Sequence, residues 1–317
     1  MRNTTKNKII STVMLLAVAM IWGFAFVAQT AATESLGANS FTGIRFILGG
    51  MTVLPAVLLF EKENKDKPKL KRTLVCAVLS GIAMYLACIT QQYGIEITQS
   101  AGKAGFMTAF YTVLVPIVSC IVYKHKLGIN VWIGAVLAIV GLYFLSTSGN
   151  PGESTDEAIN IFASIGMGEI WLLVSSLFWT LQLMLVDFSG KKDVSPLKFS
   201  MIQFFTCGFI GTVLGLIFEP ESFTLASIKG GLIPLLYAGI LSVGLAFTLQ
   251  TVAQKRSDPT TAAIIFSTES LFGTIGGALI LHERMAGRAY IGCAIMFVGL
   301  LLSQIDIKAL IKRRLEK

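Results

Sequence analysis

Trp132-Ile133-Gly134 through Val140-Gly141-Leu142 is written a second time, 158 residues later, as Tyr290-Ile291-Gly292 through Val298-Gly299-Leu300. The same offset relates Phe41-Thr42-Gly43-Ile44-Arg45-Phe46 to Phe199-Ser200-Met201-Ile202-Gln203-Phe204, with identity at both Phe positions and at the Ile. One offset at two distant places marks a tandem repeat. Each copy carries five long apolar stretches, and an odd number of membrane crossings turns the second copy upside down relative to the first. Inverted repeats of this kind place a binding site near the bilayer midplane where the halves meet.

Composition assigns the solvent. Of 317 residues 54% are hydrophobic and 14% charged, with mean hydropathy +0.72, where a soluble domain has about 25% charged residues. About 20 mostly apolar residues cross a bilayer as a helix, and ten such stretches are present: 9–29, 39–60, 73–92, 100–123, 131–147, 167–188, 198–218, 230–253, 260–281 and 288–304. The expected fold is therefore an all-α integral membrane protein of ten transmembrane helices in two inverted five-helix repeats. The expected divisions are a first repeat at 1–147, an extracytoplasmic linker at 148–166, a second repeat at 167–305 and a basic cytoplasmic tail at 306–317.

Lys and Arg are retained on the cytoplasmic side. With the N-terminus inside, the cytoplasmic segments hold 21 of them and the outer loops only Lys229, Arg284 and Arg288. Both termini are thus expected in the cytoplasm of a bacterial-type cell membrane. The net charge of +8 follows from topology and from contact with anionic membrane lipids, and it argues against nucleic acid as a partner. Arg2, Lys6 and Lys8 precede a run that is long, contains Trp22 and opens a repeat, so an uncleaved span explains it better than a signal peptide does. The five cysteines fall in apolar spans without paired spacing, and His125 and His282 are isolated. The expectation is no metal, no cofactor and no catalytic constellation, hence no enzyme.

Trp22-Gly23-x-x-Phe26, Arg45-Phe46, Val115-Pro116, Gly134 to Gly141, Glu269-Ser270, His282-Glu283-Arg284 and Gly292 to Gly299 follow one another along the chain. In these motifs and their order the chain resembles the ten-helix EamA-type members of the drug/metabolite transporter superfamily. Relatives often have Pro after the span-nine Glu, whereas this chain has Ser270. The resemblance implies a secondary transporter that moves a small metabolite or amphipathic organic solute, including amino-acid-like ones, commonly outward. A lipid-linked sugar flippase is the family's alternative, and a channel or membrane-embedded enzyme lacks the polar rings or acid/base groups it would need. The solute is the expected partner, with protons as a coupling ion and a second copy of the chain as further options.

Ionisable and polar groups inside spans nominate the site, because lipid penalises them unless they face a cavity or a partner. Glu269 lies mid-span and is a candidate solute contact or proton carrier; the competing reading is a neutral carboxyl held by Thr268, Ser270 or Gln250. Lys103, Met107 and Tyr111 follow at intervals of four on one helix face. Trp22, Phe26 and Gln29 share a face of span one, and Trp179 with Gln182 forms a similar set in span six. Tyr85, Cys88 and Gln92 share a face of span three, and Gln250 stands at the repeat offset from Gln92. Aromatic walls with sparse amides suit an organic solute. Arg45 reads as structural, bonded to carbonyls or to Glu34, with a solute ligand as the alternative.

Overall fold

The computed structural model of the chain describes residues 2–60, 67–124, 128–146, 166–190, 194–254 and 265–304. Most of the linker 148–166, the tail 306–317, His125 and the pair Lys255-Arg256 lie outside these residues.

Lipid offers the backbone no hydrogen bonds, so apolar segments satisfy their own as helices. These are α1 (Arg2–Ala32), α2 (Ala38–Phe60), α3 (Lys67–Thr98), α4 (Ala101–Thr108), α5 (Tyr111–Tyr123), α6 (Ile129–Ser146), α7 (Met167–Gly190) and α8 (Pro196–Phe218). A short 3-10 turn at Pro220–Phe223 leads to α9 (Leu225–Gly230) and α10 (Leu232–Leu236). A π-helical run, Tyr237–Phe247, links α10 to α11 (Thr248–Gln254), and α12 (Glu269–Ile280) and α13 (Gly287–Gln304) follow. Among the described residues seven spans are long and apolar enough to cross a bilayer and three more apolar helices are shorter, which accounts for the ten. Exposed Leu58, Leu59, Phe60, Phe218, Ile233 and Leu279 belong to the lipid-facing surface.

The inversion is visible in reciprocal contacts. A Cβ on Gly134 would lie 2.5 Å from the Gly299 carbonyl oxygen, and one on Gly299 would lie 2.7 Å from that of Gly134. Gly141 and Gly292 oppose each other in the same way, at 2.6 and 2.7 Å. Gly134 and Gly292 are repeat equivalents, as are Gly141 and Gly299, so α6 and α13 cross antiparallel about a pseudo-two-fold axis. Only glycine permits this backbone approach. The second crossing obeys the same rule: Gly50 faces Phe205 and Gly208 faces Ile47, while the equivalent rings Phe46 and Phe204 meet on the axis at 6.1 Å. Here α2 and α8 run antiparallel. The pair α6 and α13 packs mainly on itself at one side of the bundle, whereas α1, α3, α7 and the Leu232–Gln250 span surround the interface between the halves.

Two carboxylates tie loops to helix starts. Glu219 accepts from the Asn39 and Ser40 amides at 3.0 and 2.8 Å and from Asn39 Nδ2 at 2.8 Å. Glu283 accepts from the Ala101 and Gly102 amides at 2.6 and 3.3 Å and from Ser100 Oγ at 3.0 Å. Each satisfies amides that the first turn of α2 or α4 leaves unpaired and places negative charge at the positive end of the helix dipole.

Candidate functional site

Spans four and nine are broken at equivalent places. Between α4 and α5 the chain turns at Ala109-Phe110, and before α12 it turns at Ser267-Thr268. The amides of Val113 and Leu114 both reach the Phe110 carbonyl, at 3.0 and 3.2 Å, and those of Leu271 and Phe272 both reach the Thr268 carbonyl, at 3.1 and 3.2 Å. The local cause is also duplicated. Thr112 Oγ1 donates to the Ala109 carbonyl and Ser270 Oγ to the Ser267 carbonyl, each at 2.9 Å, and such short-range bonds compete with the regular helical ladder. Ser270 thus stands at a helix break that no proline marks. The first residues after the two breaks are Tyr111 and Glu269, which are repeat equivalents. They meet, with the Tyr111 hydroxyl in hydrogen-bonding reach of the Glu269 carboxylate. Of the partners expected for Glu269, none of Thr268, Ser270 and Gln250 takes that role among the described residues.

This junction opens on a cavity of about 60 Å³ at the repeat interface. Of the residues nominated from the sequence, Trp22, Phe26, Tyr111, Trp179, Gln182, Gln250 and Glu269 line it. The walls are aromatic: Phe247 lies 4.7 Å from the Trp22 ring and stacks on Trp179 at 6.1 Å. Trp22 Nε1 donates to the Ser242 carbonyl at 3.3 Å, inside the π-helical run, a local form frequent at functional sites. Trp179 Nε1 donates to Gln91 Oε1 and Gln91 Nε2 to Gln29 Oε1, both at 2.8 Å. This relay fixes the second Trp and both amides. Gly23 makes the arrangement possible, since a Cβ there would lie 2.6 Å from the Glu269 carbonyl oxygen.

Four nominated residues lie elsewhere. Tyr85 donates to Asn39 Oδ1 at 2.6 Å, and Asn39 is itself held by Glu219. Gln92 Nε2 is spent on the Gln29 carbonyl at 2.9 Å. Met107 is fully buried among apolar side chains including Phe26 and Ile95. Lys103 pairs with Glu169 at 3.4 Å, with its side chain a quarter exposed. The helix break explains two of these: spacing by four puts Lys103, Met107 and Tyr111 in line only on an unbroken helix, and the turn at Ala109-Phe110 resets the phase. In span three the cavity face is that of Cys88 and Gln91, about one residue round from Tyr85 and Gln92.

The cavity also takes residues that sequence reasoning passed over, among them Thr108, Ser242 and Phe247, together with Arg45, which the sequence assigned a structural role. Arg45 is 4% exposed. Its guanidinium lies beside Cys88 and over the Phe41 and Phe46 rings at 5.0 and 5.2 Å. Neither a backbone carbonyl nor Glu34 binds it among the described residues, which corrects the expectation. Its repeat equivalent, Gln203, accepts instead from Ser80 Oγ at 2.9 Å. The charge is therefore present in one half only, and its signal in the sequence was this Arg-for-Gln asymmetry at an aligned position.

Ten apolar spans in two inverted repeats, with two spans broken and a cavity on the repeat axis, define the architecture of a membrane transporter. The model of the EamA-like transporter family matches residues 9–147 and 166–304, and the chain belongs to that family. It is similar to an uncharacterized transporter of Archaeoglobus fulgidus, 26% identical over 92% of this chain and 85% of the relative. It is also similar to the uncharacterized transporter YoaV of Bacillus subtilis, 23% identical over 91% and 94%, and to a WAT1-related protein of Arabidopsis thaliana, 22% identical over 81% and 74%. A solved crystal structure 16% identical in sequence superposes with a TM-score of 0.67 over 98% of this chain and all of that one, a likeness of fold. The family and both prokaryotic relatives bear the name of transporters, not of enzymes.

Proposed function

We propose that this membrane transporter is a secondary carrier that moves a small organic solute across the cytoplasmic membrane by alternating access, with both termini in the cytoplasm and net flux outward. The observation that carries the reading is the position of the cavity: it lies on the axis that relates the two halves and is built from both, so rocking one half against the other would open it to opposite sides. Its aromatic walls, with amide, hydroxyl and charged groups set among them, suit an organic solute over a metal ion. Orientation rests on the 21 to 3 distribution of Lys and Arg, and outward flux on the family resemblance.

The test is counterflow in proteoliposomes loaded with unlabelled members of a metabolite panel. A carrier gives saturable uptake of the labelled solute with a transient overshoot, because the site returns loaded with unlabelled internal solute, which outcompetes the entering label for exit. Uptake that rises linearly with concentration and equilibrates without overshoot would mark a channel and remove alternating access.

A further inference from the structure

We propose that Cys88 and Cys207 form an oxidation site, at which a hydroperoxide links the two thiols and so ties the halves of the protein together. Cys88 belongs to α3 in the first repeat and Cys207 to α8 in the second, and their side chains are within hydrogen-bonding reach of each other. Both are at most 1% exposed. They share one buried cluster, whereas Cys76 and Cys293 lie in two others. A disulfide needs its two Cβ atoms about 4 Å apart, and close packing of α3 on α8 holds the pair near. One or two turns away, a Cβ on Gly81 would stand 2.8 Å from the Gln203 carbonyl oxygen, and Ser80 Oγ donates to Gln203 Oε1 at 2.9 Å.

Arg45 makes Cys88 the thiol that reacts first. Its guanidinium is within hydrogen-bonding reach of the Cys88 sulfur, its Nε is a buried donor with no acceptor, and among the described residues no carboxylate pairs with it. A buried cation without a counter-ion is costly. A thiolate at Cys88 would supply one, and the thiolate is the form of a cysteine that attacks oxidants. Cys88 also lines the cavity, whereas Cys207 is fully buried outside its wall. The cavity admits hydrogen peroxide, since about 10–15 Å³ is enough to hold one water and about 60 Å³ is present. A soft metal ion, the other ligand for two thiols, would be repelled by the guanidinium beside them.

The Cys88 sulfur attacks one oxygen of hydrogen peroxide; the O–O bond breaks, and the displaced hydroxide takes up the proton Cys88 released and leaves as water. Cys88 is then a sulfenic acid. The Cys207 sulfur attacks the Cys88 sulfur, the S–S bond forms and the S–O bond breaks, and the second hydroxide leaves as water with the Cys207 proton. The two thiols lose two electrons and the peroxide gains them.

The test is mass spectrometry of the purified full-length chain after graded exposure to hydrogen peroxide, with and without dimedone, which traps sulfenic acids. In the parent, a linked Cys88–Cys207 peptide pair should form before Cys76 or Cys293 is oxidised, and dithiothreitol should remove it. Cys207→Ser should leave a dimedone adduct on Cys88, whereas Cys88→Ser should slow oxidation of Cys207 at least tenfold. Arg45→Gln places at 45 the residue that its repeat equivalent, Gln203, already is. It should slow oxidation of Cys88 at least tenfold while Cys76 and Cys293 stay protected, and Arg45→Lys, which keeps the charge, should slow it less. The parent and the Cys207→Ser measurements do not depend on how the Arg45 variants fold. The proposal is overturned if no linked pair forms, if the five cysteines oxidise at equal rates, or if folded Arg45→Gln protein reacts at Cys88 as fast as the parent. None of these readouts uses a solute, so their failure would leave the transporter reading standing.

Discussion

Glu269 gathers the chemistry at the residue scale, because it follows a helix break, faces the cavity and meets its own repeat equivalent, Tyr111. Replacing it by Gln keeps the side-chain volume and removes the charge. The protein should fold with a melting midpoint near that of the parent, while solute binding and exchange fall together by at least tenfold. If exchange persists in the E269Q protein and only pH-driven accumulation is lost, Glu269 is a proton carrier. Parental behaviour in both assays would take it out of the mechanism. Trp22 and Trp179 make the complementary case. Each forms one hydrogen bond and stacks around Phe247, so Trp22→Ala or Trp179→Ala removes wall area from the solute. Each should weaken binding by about tenfold, equivalent to ~1.4 kcal/mol, when measured by isothermal titration; unchanged affinity in both would show that the solute sits elsewhere.

At the scale of elements, the crossing of α6 and α13 supports the fold away from the site. Gly134→Leu forces a side chain into the Gly299 and Ser303 backbone, and overpacking of this kind costs typically 1–3 kcal/mol. The expected result is a lower unfolding midpoint with solute affinity unchanged in the folded fraction; a parental midpoint would contradict the close approach. This crossing was legible in the sequence, since the glycines at 134, 141, 292 and 299 repeat at one offset and apolar runs announce themselves by length. The helix breaks were not. They arise from Thr112 and Ser270 bonding their own backbone, and no Gly-Pro pair marks the turns. That hidden reset misplaced Lys103 and Met107, while Tyr85 and Gln92 were misplaced by about one residue of rotation in α3. Arg45 was misread because an arginine in a span suggests bonding to carbonyls, and only the fold shows that its guanidinium reaches the cavity.

At the scale of the whole molecule, two repeats in opposite orientation build one cavity between them. Orientation has its own test. With the native cysteines replaced, a cysteine placed at Ser154 in the linker between the repeats should react with a membrane-impermeant thiol reagent added outside intact cells; labelling only after permeabilisation would reverse the topology. Alternating access is tested most directly at Cys88, which lines the cavity. In a protein that keeps Cys88 as its single cysteine, an impermeant thiol reagent should reach it in right-side-out vesicles and also in inverted ones, in membranes that remain tight to the reagent. Modification from one face alone, under every solute and pH condition, would contradict alternating access.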